Sequence, residues 1–227
     1  MRLAKWGQEA PVTFEMWLVF IPAVFLMNMA PGPNNLLAMN NGARFGLGRS
    51  VVAGLGRIPA FAILVGLTIV GLGALIATSE VAFTVLKWVG AVYLVYLGIR
   101  LWRTSPAPRA ADAVQEVAQA HYPASEASLR TLMTREFLVA ISNPKAMLIF
   151  TAFFPQFLTP GQPVAEQLLI MGATFLVLEV GALAIYAAGG AGAGKFFSSV
   201  RGQRILNRVS GSALVAAGMG LALAQRN

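Results

Sequence analysis

The chain has 227 residues, of which 57% are hydrophobic and 11% are charged, whereas about a quarter of the residues of an ordinary globular domain are charged. This composition is typical of a membrane protein and excludes an ordinary soluble domain. The formal net charge is +8, but most of the basic residues lie between apolar segments or at their ends, so we expect a topological cause for the charge and no nucleic-acid partner. Cysteine is absent and His121 is the single histidine, so we expect no disulfide, metal site or cofactor.

Six apolar segments, taken in chain order, predict six transmembrane helices. Each is close to the roughly 20 residues that an α-helix needs to cross about 30 Å of hydrocarbon. The predicted spans are 14–40, 51–77, 81–101, 134–158, 164–188 and 205–224. The first apolar run is too long for the h-region of a signal peptide, so we interpret it as a retained span. The predicted fold class is an all-α, multi-pass protein of the lipid bilayer.

Basic residues are concentrated in alternate connections between these spans. Twelve of the 17 Lys and Arg residues follow the first span, flank the long connection in the middle of the chain, or lie between the last two spans. Cytoplasmic loops carry an excess of Lys and Arg in membrane proteins. The pattern therefore predicts that these loops face the cytoplasm and that both termini lie outside.

The first span of each half of the chain contains a helix breaker, "APGPNN" at 30–35 and "SNPKA" at 142–146. Three spans per half is an odd number, so two equivalent halves insert with opposite orientations, which is the inverted-repeat pattern of secondary transporters. We predict a first three-helix repeat at 1–101 and a second at 134–227. The Ala-, Pro- and Ser-rich segment 102–133 is predicted to be a flexible or partly helical cytoplasmic connector.

The two breaks form the candidate substrate site. Proline lacks the N–H of a helical hydrogen bond, so Pro31 and Pro33 interrupt the first span around Gly32. Pro144 does the same in the fourth span. A half-helix that restarts after such a break presents unpaired N–H groups to a carboxylate, and nearby amides supply donors and acceptors without charge. The amides at the breaks are Asn28, Asn34, Asn35 and Asn143.

A second interpretation of the breaks stays open. Proline kinks occur in many membrane helices, and asparagines can hold neighbouring helices together. A matched pair of breaks, both with amides, favours a binding site over a packing feature. Irregular backbone in hydrocarbon is tolerated only where it is buried in protein or lines a cavity.

Ionisable side chains inside spans are costly and are candidates for function. Glu179 lies in the middle of the fifth span and is predicted to take up a proton or to pair with a substrate ammonium. Lys145, in the second break, is predicted to hold a carboxylate or the charge of Glu179, and a structural ion pair between the two is the alternative. We expect Arg57 to reach the cytoplasmic face, and Glu15 and Glu136 to lie at interfaces.

Two patterns that resemble enzyme motifs are discounted. "GGAGAGK" at 189–195 has the spacing of a phosphate-binding loop, but Phe196 replaces the required Ser or Thr and no strand precedes it. Gly190 and Gly194 suit close helix packing instead. "SNPK" at 142–145 has a Ser-x-x-Lys spacing, but a proline breaks the helix there and no Lys-Thr-Gly partner occurs. We therefore predict that the protein is not an enzyme.

Three segments carry a combined signature: "MAPGPNNLLAMNNGARFGLGRSVVAGLG" at 29–56, "LKWVGAVYLVYLGIRLWR" at 86–103 and "FLVAISNPKAMLIFTAFFPQFL" at 137–158. In this order and spacing they resemble the lysine exporter (LysE/RhtB) superfamily, which includes homoserine, threonine and leucine exporters. The resemblance implies a bacterial inner-membrane exporter of amino acids, driven by the proton motive force. Members commonly carry Asp or Asn after the Pro-Gly-Pro break. Here Asn34 stands there, so Glu179 becomes the candidate proton carrier.

The sequence thus predicts an antiporter that exchanges protons for an amino acid or similar zwitterion. Rocking of the two halves, with the glycines of 42–56 as a hinge, would expose the site alternately to each side. The alternatives are a passive channel and a non-transporting assembly protein, and concentrative export separates a transporter from a channel. Faces rich in small residues also predict a possible homodimer.

Overall fold

The computed structural model describes residues 14–78, 80–103, 128–159, 161–193 and 200–224. The helices are α1 (Phe14–Met29), α2 (Pro33–Phe45), α3 (Leu47–Gly54), α4 (Arg57–Thr78), α5 (Glu80–Arg103), α6 (Leu129–Ile141), α7 (Pro144–Leu148), α8 (Val164–Ala188) and α9 (Val200–Ala224). A π turn (Ile149–Phe153) and a 3₁₀ turn (Phe154–Phe157) extend α7, and a second π turn (Gly189–Ala193) extends α8. The described residues contain no strand, which confirms the all-α class for them.

Within this part of the chain, two helices are long and apolar enough to cross a membrane unaided, Leu47–Gly73 and Val164–Gly192. Two further spans result if each bent pair of helices is counted as one span. The first pair is α1 and α2, and the second is α6 and α7 with the turns that extend α7. Together these correspond to the first, second, fourth and fifth predicted spans. The third and sixth predicted spans coincide with α5 and α9, which pack along each other. Membrane crossing by these two helices stays a prediction, as does the inverted repeat. Most of the predicted connector, 104–127, lies outside the described residues.

Both predicted breaks are present, with bends of 57° between α1 and α2 and 47° between α6 and α7. Gly32 has an extended backbone, and α2 restarts at Pro33. In the second break the side chain of Asn143 accepts the backbone N–H of Lys145 at 3.0 Å, and Pro144 is the first helical residue. Proline is suited to the first position of a helix because its missing N–H would have no partner there. Each break is therefore the end of one helix and the start of another.

Phenylalanine rings form the core on one side of the breaks. They come from α1, α4, α8 and the turns that extend α7, and neighbouring ring centroids lie 4.7 to 6.5 Å apart, mostly tilted or edge to face. We call them the aromatic cluster. Its members are Phe20, Phe61, Phe150, Phe153, Phe154, Phe157 and Phe175. Because rings from both halves interlock, this cluster fixes how the two broken spans sit against α4 and α8.

Glycines allow α2 to lie very close to the end of α8. A Cβ atom at Gly42 would overlap the backbone carbonyl of Ala187, and one at Gly190 would overlap the backbone carbonyl of Met39. The close packing predicted for Gly190 is therefore confirmed, while Gly194 lies outside the described residues. These contacts join the first broken span to the helix that carries Glu179.

We predict that Gly42→Ala destabilises the protein, because the new methyl group must displace a backbone carbonyl rather than a flexible side chain. Overpacking of this kind costs about 1–3 kcal/mol. The measurement is the thermal unfolding midpoint of the purified protein in detergent. The control is Gly181→Ala in α8, where a Cβ would meet no atom within 4 Å and where alanine is the better helix former. Equal midpoints for the two variants would contradict the packing assigned to Gly42.

Candidate substrate site between two helix breaks

The two helix breaks contact each other directly. The Nδ2 of Asn143 donates to the Oδ1 of Asn34 at 2.8 Å. The Nζ of Lys145 donates to the carbonyl oxygen of Ala30 at 2.7 Å. The sequence-predicted residues of both breaks are thus brought together, and binding of a substrate there is taken up below as a proposal.

Side chains satisfy the carbonyl groups that the end of α1 leaves without helical partners. The Nδ2 of Asn35 donates to the carbonyl oxygens of Asn28 at 2.6 Å and Ala30 at 3.0 Å. The hydroxyl of Tyr186, on α8, donates to the carbonyl oxygen of Met29 at 2.8 Å. An unpaired carbonyl in a membrane interior costs several kcal/mol. These hydrogen bonds therefore explain how a membrane helix can end inside the protein.

A small cavity lies where the breaks meet. The polar lining consists of Gly32, Lys145, Glu179 and the amides of Asn28, Asn34, Asn35 and Asn143. The apolar lining consists of Phe61, Ala146, Ile149 and Phe175. Every sequence-predicted site residue lines the cavity except the prolines Pro31, Pro33 and Pro144. Those three shape the backbone around it.

Asn28 brings an unused hydrogen-bond acceptor to the cavity. Its side chain is 1% exposed, and its Nδ2 donates to the carbonyl oxygen of Phe175 at 3.4 Å. Its Oδ1 is buried and has no hydrogen-bond partner. A buried polar atom without a partner costs about 1–3 kcal/mol. This oxygen is therefore available to a donor group of a ligand.

Arg57 is the centre of a buried charge cluster beside the cavity. Its Nη1 donates to Glu179 Oε1 at 2.9 Å, and its Nη2 and Nε donate to Glu136 Oε2 at 2.7 and 3.2 Å. Nη2 also donates to the carbonyl oxygen of Asn34 at 2.8 Å. The Arg57 side chain is 0% exposed. A planar guanidinium with several fixed donors suits such shared contacts, and here it joins α4 to α2, α6 and α8.

The two carboxylates of this cluster have different surroundings. Glu136 is 0% exposed, and its Oε1 accepts a hydrogen bond from the Nδ2 of Asn41 at 3.3 Å. Its backbone carbonyl accepts another from the Nδ2 of Asn34 at 3.2 Å. Glu179 pairs with Arg57 through Oε1, and this residue also lines the cavity. Glu136 is not among the lining residues.

The expectations that Arg57 reaches the cytoplasmic face and that Glu136 is interfacial are wrong, because both side chains are fully buried. The chain turns at Gly46, where φ is 80°, and α3 then packs against α6 before α4 begins at Arg57. The start of the second span therefore lies inside the protein. Likewise α6 begins at Leu129, earlier than predicted, which puts Glu136 two turns inside a helix.

The alternative prediction, an ion pair between Lys145 and Glu179, is also wrong. Glu179 pairs with Arg57, and Lys145 binds a backbone carbonyl. The side chain of Glu15 lies outside the described residues. One sequence signal could have identified the partner of Glu179: a carboxylate in mid-span needs a counter-charge, and Arg57 is a basic residue at the start of a neighbouring span.

The fold and the cavity define a membrane protein whose discontinuous helices line a polar site, which is an arrangement used by transporters. A family model described as LysE type translocator matches residues 25–225 of the chain. The chain belongs to this family of membrane transporters, which confirms the resemblance based on its three signature segments.

Two of the similar proteins cover nearly the whole chain, and a third covers 63% of it. An uncharacterized membrane protein of Vibrio cholerae serotype O1 is 31% identical over 211 residues, which are 93% of this chain and 98% of that protein. A homoserine/homoserine lactone efflux protein of Salmonella typhimurium is 32% identical over 214 residues, 94% of this chain and 99% of that protein. A leucine efflux protein of Enterobacter sp. strain 638 is 31% identical over 145 residues, 63% of this chain and 64% of that protein. No solved structure matches the chain.

We predict that Arg57→Met strongly destabilises the protein, because it leaves two buried carboxylates without a counter-charge. Breaking a buried ion pair in this way costs about 3–5 kcal/mol. The triple variant Arg57→Met, Glu136→Gln, Glu179→Gln removes the uncompensated charges and should regain most of that stability. The measurement is the free energy of unfolding in mixed micelles, with Arg44→Met, an exposed arginine on α2, as the control. A triple variant no more stable than Arg57→Met would contradict the assigned cluster.

Proposed function

We propose that the protein exports an amino acid or small zwitterionic derivative from the cytoplasm in exchange for a proton. The observation that carries this proposal is the set of residues that line one cavity: Lys145, Glu179 and Asn28, whose Oδ1 has no hydrogen-bond partner. A zwitterion has the complementary groups, a carboxylate for Lys145 and an ammonium for the other two. The homoserine/homoserine lactone and leucine efflux proteins among the similar sequences support a substrate of this kind.

The carboxylate of the substrate binds Lys145 and the start of α2. No side chain caps this helix start, because the residue before Pro33 is Gly32. The first N–H groups of α2 and the positive end of its dipole therefore attract an anion. A Cβ at Gly32 would come within 3.3 Å of the Lys145 side chain, so glycine leaves the room that Lys145 needs to lie across this helix start.

The ammonium of the substrate and the coupling proton compete for Glu179. Ionised Glu179 binds the ammonium together with Asn28, and protonated Glu179 binds it much more weakly. Arg57 remains paired with Glu136 in both conditions, so the charge of the site changes at Glu179. A neutral zwitterion leaves on the outward step and one positive charge enters on the return step. Both the pH gradient and a membrane potential negative inside then drive export.

The aromatic cluster is the barrier on the exit side of the cavity. In the predicted orientation α4 runs outward from Arg57, so Phe61 and the rings packed against it lie between the cavity and the outside. The rings must separate for export, and the predicted hinge at 42–56 is where the first half bends. Within it, an added Cβ at Gly46 or Gly48 would meet no atom within 4 Å, whereas Gly42 is packed against Ala187.

Bends of similar size at corresponding places in the two halves, each restarted by a proline, support the proposed repeats at 1–101 and 134–227. In an inverted pair, the two breaks approach each other from opposite sides of the membrane, and contact between them is the expected result. The packed rings on one side of the cavity and the Arg57 cluster beside it favour a transporter over a continuous passive channel.

The proton-coupling step is tested with proteoliposomes that contain labelled substrate. We predict that an inwardly directed proton gradient accelerates export by the native protein, and that Glu179→Gln loses this response. The same variant should still exchange internal for external substrate at equal pH and saturating substrate, because exchange requires no proton. Glu166→Gln, an exposed position at the start of α8, is the matched control. Export by the native protein that ignores the gradient, or an undiminished response in Glu179→Gln, would overturn the coupling proposal.

The role of Lys145 is tested by changing both the protein and the ligand. We predict that Lys145→Gln weakens amino-acid binding by about tenfold to a hundredfold, because a charge-assisted hydrogen bond is lost. Binding of the corresponding amino-acid amide, which has no carboxylate, should change little. Lys145→Arg keeps the charge and is the control. Equal losses for acid and amide would mean that Lys145 acts on the structure alone.

A further inference from the structure

The cavity has two layers that lie one helical turn apart. Phe61 follows Arg57 by four residues on α4, and Phe175 precedes Glu179 by four residues on α8. Residues four apart share a helix face and are separated by about 6 Å along the axis. The ring centroids of Phe61 and Phe175 are 5.5 Å apart, and the charged groups of Arg57 and Glu179 are in contact. The two helices are therefore antiparallel here, with a charged layer and an apolar layer between them.

The second break adds one residue to each layer. Lys145 faces the cavity with the charged groups, and Ile149, four residues later, faces it with the rings. Phe150 packs behind them, with its ring centroid 4.8 Å from that of Phe175. Phe61, Ile149 and Phe175 are all buried. The apolar layer is therefore a closed floor of hydrocarbon, which offers neither a charge nor a hydrogen bond.

Amide groups around the cavity donate hydrogen bonds to the protein itself. The Nδ2 of Asn34 serves Glu136, that of Asn35 serves the end of α1, and that of Asn143 serves Asn34. The Oδ1 of Asn28, which has no hydrogen-bond partner, is required by the substrate ammonium under the proposed function. The side chains of Phe61, Ile149 and Phe175 offer no hydrogen bond. A hydroxyl or charged group of the substrate that lies against them would therefore be buried without a partner, which is unfavourable.

We propose that the substrate is an amino acid with an uncharged, aliphatic side chain of about three or four carbons. This proposal rests on the proposed function and specifies its substrate class. The α-ammonium and α-carboxylate occupy the charged layer, and the side chain extends one helical turn to Phe61, Ile149 and Phe175. A leucine-like substrate is thus favoured over a homoserine-like one.

An isosteric pair of ligands tests this proposal most sharply. Norvaline and homoserine differ by a terminal methyl in place of a terminal hydroxyl. We expect norvaline to compete for export in proteoliposomes about tenfold better than homoserine. Along the series alanine, 2-aminobutyrate and norvaline, competition should strengthen by about fourfold per methylene. Lysine and aspartate should not compete.

A pair of identical substitutions locates the side-chain subsite. Ile149→Val removes one methylene from the floor and should lower the preference for norvaline over alanine by about fourfold. Ile141→Val in α6 makes the same change at a residue that packs against the core but does not line the cavity. It should leave the preference unchanged. Because the preference is a ratio within one variant, it does not depend on how much protein folds.

Three results would overturn the proposed substrate class. The first is homoserine competing as well as norvaline, the second is a flat response along the aliphatic series, and the third is the same change of preference in both isoleucine variants. If the native protein prefers homoserine and Asn28→Leu loses that preference, the free oxygen of Asn28 binds the side-chain hydroxyl of the substrate and not its ammonium. Gradient-driven export of homoserine would still support the proposed function. Export of none of these amino acids would contradict the proposed function itself.

Discussion

The guanidinium of Arg57 is shared by three helices, and the arrangement of the cavity depends on that contact. Burial of three charged groups is unfavourable unless each is paired and hydrogen-bonded. Arg57 meets this requirement with donors to Glu136, to Glu179 and to the carbonyl oxygen of Asn34. Glu136 is further fixed by Asn41, so its pairing with Arg57 is structural. Glu179 faces Arg57 on one side and the cavity on the other, and it is therefore the group whose partner can change.

The broken helices are stabilised by the same amides that the sequence marks as a binding site. Asn35 satisfies the end of α1, and Asn143 connects the two breaks through Asn34. These hydrogen bonds support the interpretation as interhelical packing, and the interpretation as a binding site stays a prediction. Many of the amide donors serve the protein, and under the proposed function the ligand is held by Lys145, Glu179 and the Oδ1 of Asn28. Substitution of the structural amides should accordingly affect stability before it affects substrate affinity.

The breaks, the candidate amides and the two ionisable residues of the cavity could be predicted from the sequence. Proline and glycine act through their own covalent chemistry, so their effect on a helix is local and readable. The Arg57 cluster could not be predicted in this way. An arginine near a span boundary usually extends to the membrane surface, and only the packing of α3 against α6 places the start of α4 in the interior. The pairing of Glu179 with Arg57 depends on that tertiary arrangement, because the two residues are 122 positions apart in the chain.

The central claim is that substrate and proton compete for Glu179. It is tested most directly by measuring proton release when substrate binds to the purified protein, using calorimetry in buffers of different ionisation enthalpy. The account predicts that binding to the native protein releases protons, that affinity rises with pH, and that Glu179→Gln binds substrate without proton release. Equal proton release by the native protein and Glu179→Gln, or none by the native protein across the pH range, would contradict the account.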